Sequence, residues 1–225
     1  MKIKGIYIVV ISSLLTFAMV FVDAIIQPPY FQKSIIKIVL FLLIPIIYLV
    51  ISKQELNVIK RIFKFEKKSF IKSLLLGIGV YVAIIVAYFI FKDLIDLNNI
   101  EETLSTTMKV NADNFIFVAL YISFINSLLE EFFFRGYVFM LVKQYTKVIN
   151  SYLYSGIIFA LYHVGMLQGW FDIYIYLLAM VSLFVGGCIF NYLNDKWKSI
   201  YPSWLVHLFA NLAINTIGLI LFGII

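Results

Sequence analysis

One stretch near the middle of the chain reads Leu129-Glu130-Glu131-Phe132-Phe133-Phe134-Arg135-Gly136. It lies inside a run from 114 to 142 that contains no other charged residue. An ionisable side chain at membrane depth costs about 2.5 to 3.5 kcal/mol on insertion scales, so such residues usually have partners and a function. The stretch therefore predicts a functional site within a membrane-spanning helix, and the rest of the chain should supply its partners.

The spacing within this stretch gives its two carboxylates different roles. Glu131 and Arg135 are four residues apart, which places them on one face of a helix and predicts an ion pair. Glu130 is rotated by roughly 100° from Glu131, so we expect its carboxylate to be free of that pair and to be the reactive group. The alternative is a helix that leaves the membrane here, with these side chains in water. The apolar run from 137 to 142 argues against that alternative.

The composition is that of a polytopic membrane protein. Hydrophobic residues make up 63% of the 225 residues, charged residues make up 13%, and the mean hydropathy is +1.00. We therefore expect an all-α transmembrane helical bundle of about seven spans, in a single integral membrane domain over 1–225. The net charge of +6 comes from basic residues beside apolar runs, which indicates contact with membrane lipid and argues against nucleic acid as a partner. The single cysteine, Cys188, excludes a disulfide framework.

Apolar runs divide the chain into seven predicted spans. These are 6–22, 38–51, 73–91, 114–142, 148–171, 173–194 and 199–225. The first three spans and their loops occupy 1–113, and spans four to seven form the expected core over 114–225. The residues 27–37 are predicted to connect the first span to the second, and Pro45 predicts a kink within the second span.

Basic residues are distributed unevenly between the two sides of the membrane. The segment 53–72 carries seven of them, and it predicts either an amphipathic helix on an anionic leaflet or a basic loop that only fixes topology. With the N-terminus inside, the inner segments hold 13 Lys or Arg, whereas the outer segments hold four, including Lys33 and Lys37. This asymmetry predicts a cytoplasmic N-terminus and, with seven spans, an external C-terminus.

Both histidines of the chain lie inside predicted spans, His163 in the fifth and His207 in the seventh. Asn211 follows His207 by about one helical turn. One intramembrane histidine usually makes only an interhelical hydrogen bond, but two histidines, Glu130 and an asparagine on three helices predict one shared polar pocket. A glutamate in such a pocket can activate water as a general base, and imidazole and amide groups can stabilise an oxyanion. The set suits the hydrolysis of an acyl bond.

Three motifs on successive apolar helices resemble the signature of a known family. They are Glu130-Glu131-x-x-x-Arg135, Phe159-x-x-x-His163 and His207-x-x-x-Asn211. In these motifs, which cover 115–215, the chain is similar to the CPBP family of intramembrane proteases. That family includes the type II CAAX prenyl endopeptidases and bacterial relatives that process bacteriocins or are associated with immunity to them. The resemblance implies that Glu131 and Arg135 hold the helix and the site in shape.

The resemblance also implies an activity and roles for the other motif residues. Glu130 would activate the hydrolytic water together with His163, while His207 and Asn211 would stabilise the oxyanion. The expected function is an intramembrane endopeptidase that cuts a peptide bond of a membrane-associated protein or peptide. The expected location is a bacterial plasma membrane, which the protein crosses several times.

The sequence leaves the cofactor and two other functions open. Glu130, His163 and His207 could form a zinc site with two histidines and one glutamate. The absence of an HExxH motif and of an evident carboxylate behind either histidine favours water activation without a metal or other cofactor. The alternative functions are a non-catalytic membrane binding protein of bacteriocin-immunity or regulatory type and an ion-coupled transporter. No internal repeat supports the transporter.

Overall fold

The computed structural model describes residues 3–94 and 96–225. Within these residues every regular element is a helix, and there is no strand. In chain order the helices are α1 (Ile3–Ile26), α2 (Tyr30–Ile51), α3 (Lys53–Ile62), α4 (Lys67–Leu94), α5 (Leu97–Thr106), α6 (Phe115–Val142), α7 (Val148–Tyr162), α8 (Val164–Leu167), α9 (Ile173–Trp197) and α10 (Tyr201–Leu221). The predicted all-α polytopic class is confirmed.

Among the described residues, six helices are long and apolar enough to cross a membrane, namely α1, α2, α4, α6, α9 and α10. The predicted fifth span is divided, because α7 has 15 residues and ends at Tyr162, and His163 then leads into the short helix α8. A straight helix needs about 20 apolar residues to cross the hydrocarbon of a bilayer. The expected spans therefore correspond to six long helices and one shorter helix.

The second span begins earlier than the sequence pattern predicts. The prediction of a connection over 27–37 is wrong, because α2 begins at Tyr30 and includes Lys33 and Lys37. Both lysines are only 5% exposed. The apolar run 38–51 has 14 residues, which is too short to cross a bilayer. The helix therefore extends toward its N-terminus, and the two lysines enter the bundle with it.

Helix α6 lies at the centre of the bundle. It contains two π-helical segments, Tyr121–Asn126 and Glu131–Phe139, separated by the α-helical turn Ser127–Glu130. All nine residues of the second segment are buried, and they pack against α1, α2, α3, α7 and α9. π-helical turns are rare in proteins, and those that occur are often found at functional sites. The central position of α6 surrounds its two carboxylates with protein instead of lipid.

Two helix pairs flank α6: α4 packs along α10, and α7 packs along α9. In the second pair, a Cβ on Gly187 would lie 3.2 Å from Gly156 Cα, so small residues allow the two backbones to approach closely. Helix α1 is joined to α7 by the Tyr154 hydroxyl, which donates to the Val9 carbonyl at 2.9 Å and lies 2.8 and 2.9 Å from the hydroxyls of Ser12 and Ser13. The N-terminal helices thus pack directly on the core, and the domain boundary at residue 113 stays a prediction.

Helix α3 docks against α6. Its apolar side chains Ile59 and Ile62 are 4% and 1% exposed, and the Ile62 carbonyl accepts a hydrogen bond from the Ile200 N–H at 2.9 Å. A Cβ on Gly136 would lie 2.7 Å from Ile62 Cδ1, so the glycine permits this close approach. Of the segment 53–72, residues 53–62 form α3 and residues 67–72 begin α4, so the predicted helix is present only in part. Ile59 and Ile62 pack against protein and not against lipid, whereas Phe63 is 43% exposed, so contact of this segment with a leaflet stays a prediction.

Candidate active site

The predicted catalytic residues Glu130, His163 and His207 lie on separate elements and are all buried. Glu130 is at the centre of α6, His163 follows the last residue of α7, and His207 lies on α10. Glu130 Oε2 is 3.7 Å from His207 Nε2, and the Phe159 ring contacts both imidazoles, with its centroid 4.8 Å from that of His163 and 6.0 Å from that of His207. The structure therefore brings a carboxylate and two imidazoles together. Because Glu130 is only 2% exposed, the alternative of a carboxylate wetted at the membrane surface is excluded.

Glu131 has two partners, of which the sequence predicts one. Its Oε1 lies 3.4 Å from Arg135 Nη1, which confirms the predicted ion pair. The same oxygen lies 3.0 Å from His207 Nδ1. A carboxylate can only accept a hydrogen bond, so His207 donates through Nδ1 and its Nε2 is turned toward Glu130. Glu131 thus connects the buried guanidinium to one of the two imidazoles.

Aromatic rings enclose the guanidinium of Arg135, a feature that the spacing argument misses. The guanidinium carbon lies 4.0 Å from the Phe159 ring centroid, 4.9 Å from that of Phe190 and 5.9 Å from that of Phe134. A cation over a ring face in a desolvated site gains on the order of 2 kcal/mol. The cage and the ion pair with Glu131 offset part of the cost of burying Arg135 completely, although its three guanidinium nitrogens have no hydrogen-bond partner among the described residues.

The motif Phe159-x-x-x-His163 has a structural explanation. His163 Nδ1 lies 2.8 Å from the Phe159 carbonyl oxygen, one helical turn earlier on α7. A carbonyl oxygen can only accept, so Nδ1 is the donor and Nε2 keeps its lone pair. Phe159 therefore contributes twice: its carbonyl fixes the tautomer of His163, and its ring covers Arg135.

Asn211 lies one turn after His207, but its amide is directed at the backbone of α6. Its Nδ2 donates to the Ile122 carbonyl at 3.2 Å, and Asn215 Nδ2 donates to the Ala119 carbonyl at 3.2 Å. Asn215 Nδ2 also lies 3.0 Å from Ser123 Oγ, so the polar face of α10 contacts both the first π-helical segment of α6 and the turn before it. An amide nitrogen carries two hydrogens, so Asn211 retains a second donor besides the one given to Ile122.

Glu130 is not the free carboxylate that the sequence predicts. Lys37 Nζ lies 3.3 Å from Glu130 Oε1 and 2.7 Å from Asn126 Oδ1, and it also donates to the hydroxyl of Tyr162. Asn126 Nδ2 donates to the same Oε1 at 2.8 Å, and Tyr162 OH donates to it at 3.0 Å. Three donors therefore converge on Oε1. The other oxygen, Oε2, faces His207.

Sequence reasoning missed Lys37 because it placed this residue in an outer loop. The short apolar run 38–51 was the available signal, since a helix long enough to cross the bilayer had to include Lys37. Tyr162 carried no signal, because a single tyrosine in an apolar helix is more often a packing residue than a site residue.

The site fits a bound divalent metal poorly. Both imidazoles have Nδ1 engaged and Nε2 turned away from that contact, as metal-bound histidines usually do, and Glu131 is an acceptor behind His207 that the sequence did not reveal. The ammonium of Lys37, however, lies 3.3 Å from the only carboxylate of the candidate ligand set and would repel a cation. Among the described residues, no three His, Cys, Asp or Glu side chains are arranged as metal ligands.

Comparison with known proteins gives one match. Residues 112–213 match the family model described as type II CAAX prenyl endopeptidase Rce1-like. The matched region includes α6 to α9 and α10 as far as Ala213, and hence every residue of the three motifs. Lys37 lies outside it. No curated protein and no solved structure matches the chain significantly.

Proposed function

Because residues 112–213 match the type II CAAX prenyl endopeptidase Rce1-like family, we propose that this chain is an intramembrane endopeptidase. Its substrate would be a membrane-associated protein or peptide, and its chemistry would be peptide-bond hydrolysis by a water that Glu130 activates. The protein would act within a multi-pass bundle whose N-terminus is cytoplasmic, as the distribution of basic residues predicts.

The observation that carries this proposal is the difference between the surroundings of the two oxygens of Glu130. Oε1 accepts three hydrogen bonds, whereas Oε2 lies 3.7 Å from His207 Nε2. This separation exceeds a direct hydrogen bond, which leaves Oε2 able to accept a hydrogen bond from a water. A carboxylate fixed through one oxygen and open through the other suits a general base.

The hydrogen-bond pattern supports one order of steps. The water donates one hydrogen to Glu130 Oε2 and the other to the lone pair on His163 Nε2, which leaves the oxygen lone pair for attack on the scissile carbonyl carbon. Glu130 takes the proton as the new C–O bond forms. The carbonyl π bond breaks, and the charge moves to the oxyanion. The oxyanion then re-forms the carbonyl π bond as the C–N bond breaks, and Glu130 gives its proton to the departing amine nitrogen, which regenerates the carboxylate.

The oxyanion requires donors on the α10 side of the site. Asn211 has a second amide hydrogen, and His207, with Nδ1 donating to Glu131, can donate through Nε2 when it is protonated. Preorganised donors of this kind are worth roughly 10²- to 10³-fold in kcat each. The proposal assigns the oxyanion to His207 and Asn211, and it assigns the water to Glu130 and His163.

The test compares membranes that contain wild-type protein with membranes that contain the Glu130→Gln variant. New peptide N-termini are labelled and identified by quantitative proteomics. Glutamine keeps the shape of the side chain but cannot accept the proton, so we expect cleavage products only with the wild type. The exposed Glu102→Gln variant is the matched control and should cleave as the wild type does.

Two outcomes would overturn the proposal. Identical new termini with wild type and Glu130→Gln would exclude Glu130 as the base. A complete absence of wild-type products, together with a cellular phenotype that Glu130→Gln retains, would instead favour the non-catalytic binding protein of immunity or regulatory type.

A further inference from the structure

Lys37 occupies an unusual position for a lysine. It lies on α2, in the N-terminal half of the chain, and is 5% exposed. Its ammonium has three hydrogens and three acceptors around it: Asn126 Oδ1, Glu130 Oε1 and the Tyr162 hydroxyl. Every donor of this buried cation is therefore used inside the candidate active site.

The neighbours of Lys37 are themselves connected to Glu130. Asn126 accepts from Lys37 through Oδ1 and donates to Glu130 Oε1 through Nδ2. Tyr162 accepts from Lys37 and donates to the same Oε1. Lys37 thus orients both neutral donors as well as contacting the carboxylate directly. Removal of its ammonium would leave two acceptors unpaired and would leave Oε1 with two donors that Lys37 no longer orients.

Charge gives Lys37 a second effect. Burial favours the neutral form of a carboxyl group, whereas an adjacent ammonium favours the ionised form. A general base must be ionised before it can take a proton from water. An ammonium 3.3 Å from Glu130 Oε1 therefore stabilises the state in which the carboxylate can act.

We infer that Lys37 is a positioning residue of this active site: it fixes Glu130 Oε1, directly and through Asn126 and Tyr162, so that Oε2 is the oxygen that accepts the proton of the water. This inference rests on the proposed function, and it adds a residue from outside the region that matches the family model. It makes α2 part of the active site.

Lys33 offers a matched control on the same helix. It lies one turn before Lys37, is equally buried, and pairs with Asp23 of α1 at 2.6 Å. Replacement of either lysine by methionine removes one buried cation and leaves one carboxylate without its ion pair. The structural cost should be comparable, but only Lys37 is bonded to the Glu130 network.

The experiment measures kcat and KM in proteoliposomes, with the substrate whose cleavage products are found for the wild type. The variants are Lys37→Met, Lys37→Arg, Lys33→Met and Glu130→Gln. Folded protein is quantified by thermal unfolding in detergent. We expect Lys37→Met to lose roughly 10²-fold in kcat with little change in KM, as misplacement of a reacting group does. Arginine keeps the charge, so Lys37→Arg should recover part of that loss. Lys33→Met should keep the wild-type kcat per folded molecule.

The outcomes separate this inference from the proposed function. If Glu130→Gln is inactive while Lys37→Met keeps the wild-type kcat, the role of Lys37 is refuted and the protease assignment stands. If Lys33→Met loses as much kcat as Lys37→Met, Lys37 is merely structural.

If Lys37→Met does not fold, Tyr162→Phe replaces it in the test. That variant removes one hydrogen bond to Oε1 without changing any charge and should lower kcat by roughly tenfold. An unchanged kcat in Tyr162→Phe would then refute the inference.

Discussion

His207 Nδ1 lies 3.0 Å from Glu131 Oε1, so one of two adjacent glutamates orients the imidazole that faces the other. This contact explains why two carboxylates occur side by side in the middle of a membrane-spanning helix. Glu130 points into the site, and Glu131 holds His207 and Arg135 around it. The adjacent positions project about 100° apart, which lets one helix serve both purposes.

Glu131→Gln should lower kcat by at least roughly 10²-fold, because an amide can turn its NH₂ group toward Nδ1 and then no longer holds the His207 ring with Nε2 facing the site. The kcat is measured in proteoliposomes, with the substrate that the wild type cleaves. Since Arg135 also loses its carboxylate, thermal unfolding of the same preparation must be recorded. An unchanged kcat per folded molecule would show that the Glu131–His207 contact has no part in the reaction.

Arg135→Met should destabilise the protein by about 3 to 5 kcal/mol, because it leaves the fully buried Glu131 without its cation. Chemical unfolding in detergent, followed by tryptophan fluorescence, measures this loss. The milder variant Phe159→Leu removes one ring of the cage and should cost less. Equal stability of Arg135→Met and the wild type would contradict the view that Arg135 organises the buried centre.

Chelation should leave the activity intact. The ammonium of Lys37 beside Glu130 disfavours a divalent cation at the only carboxylate of the candidate ligand set. Peptide cleavage is measured after prolonged incubation with 1,10-phenanthroline, and the metal content of the purified protein is determined by mass spectrometry. One zinc ion per chain, with activity lost on its removal and restored on its return, would overturn this expectation.

The sequence was sufficient for the membrane class and for the pair Glu131–Arg135, because both follow from local spacing and composition. It was insufficient for Lys37, since the contact with Glu130 joins residues 93 positions apart and depends on where α2 begins. The aromatic cage around Arg135 was likewise hidden: a phenylalanine in an apolar helix has the same appearance whether it faces lipid or a guanidinium. Only the tertiary arrangement distinguishes these cases.

Gly136→Val should destabilise the docking of α3, because Ile62 Cδ1 already lies 2.7 Å from the position of a Cβ. Overpacking of this kind costs about 1 to 3 kcal/mol, which thermal unfolding can detect. The double variant Gly136→Val with Ile62→Ala provides the control, since it removes the Ile62 side chain with which the valine would clash. If the double variant is no more stable than the sum of the single effects predicts, α3 does not dock against α6 at this point.

Asn211 and Asn215 permit a test of the oxyanion assignment, because they make the same kind of backbone contact. Each donates to a carbonyl of α6 at 3.2 Å, yet only Asn211 lies one turn from His207. If the polar face of α10 serves structure alone, Asn211→Leu and Asn215→Leu should both lose stability, and neither should change kcat per folded molecule. We expect Asn211→Leu to lose roughly 10²- to 10³-fold in kcat with KM nearly unchanged, because a donor to the oxyanion acts only in the transition state. Asn215→Leu should then affect unfolding alone, and a parallel loss of kcat in both variants would assign Asn211 to the scaffold.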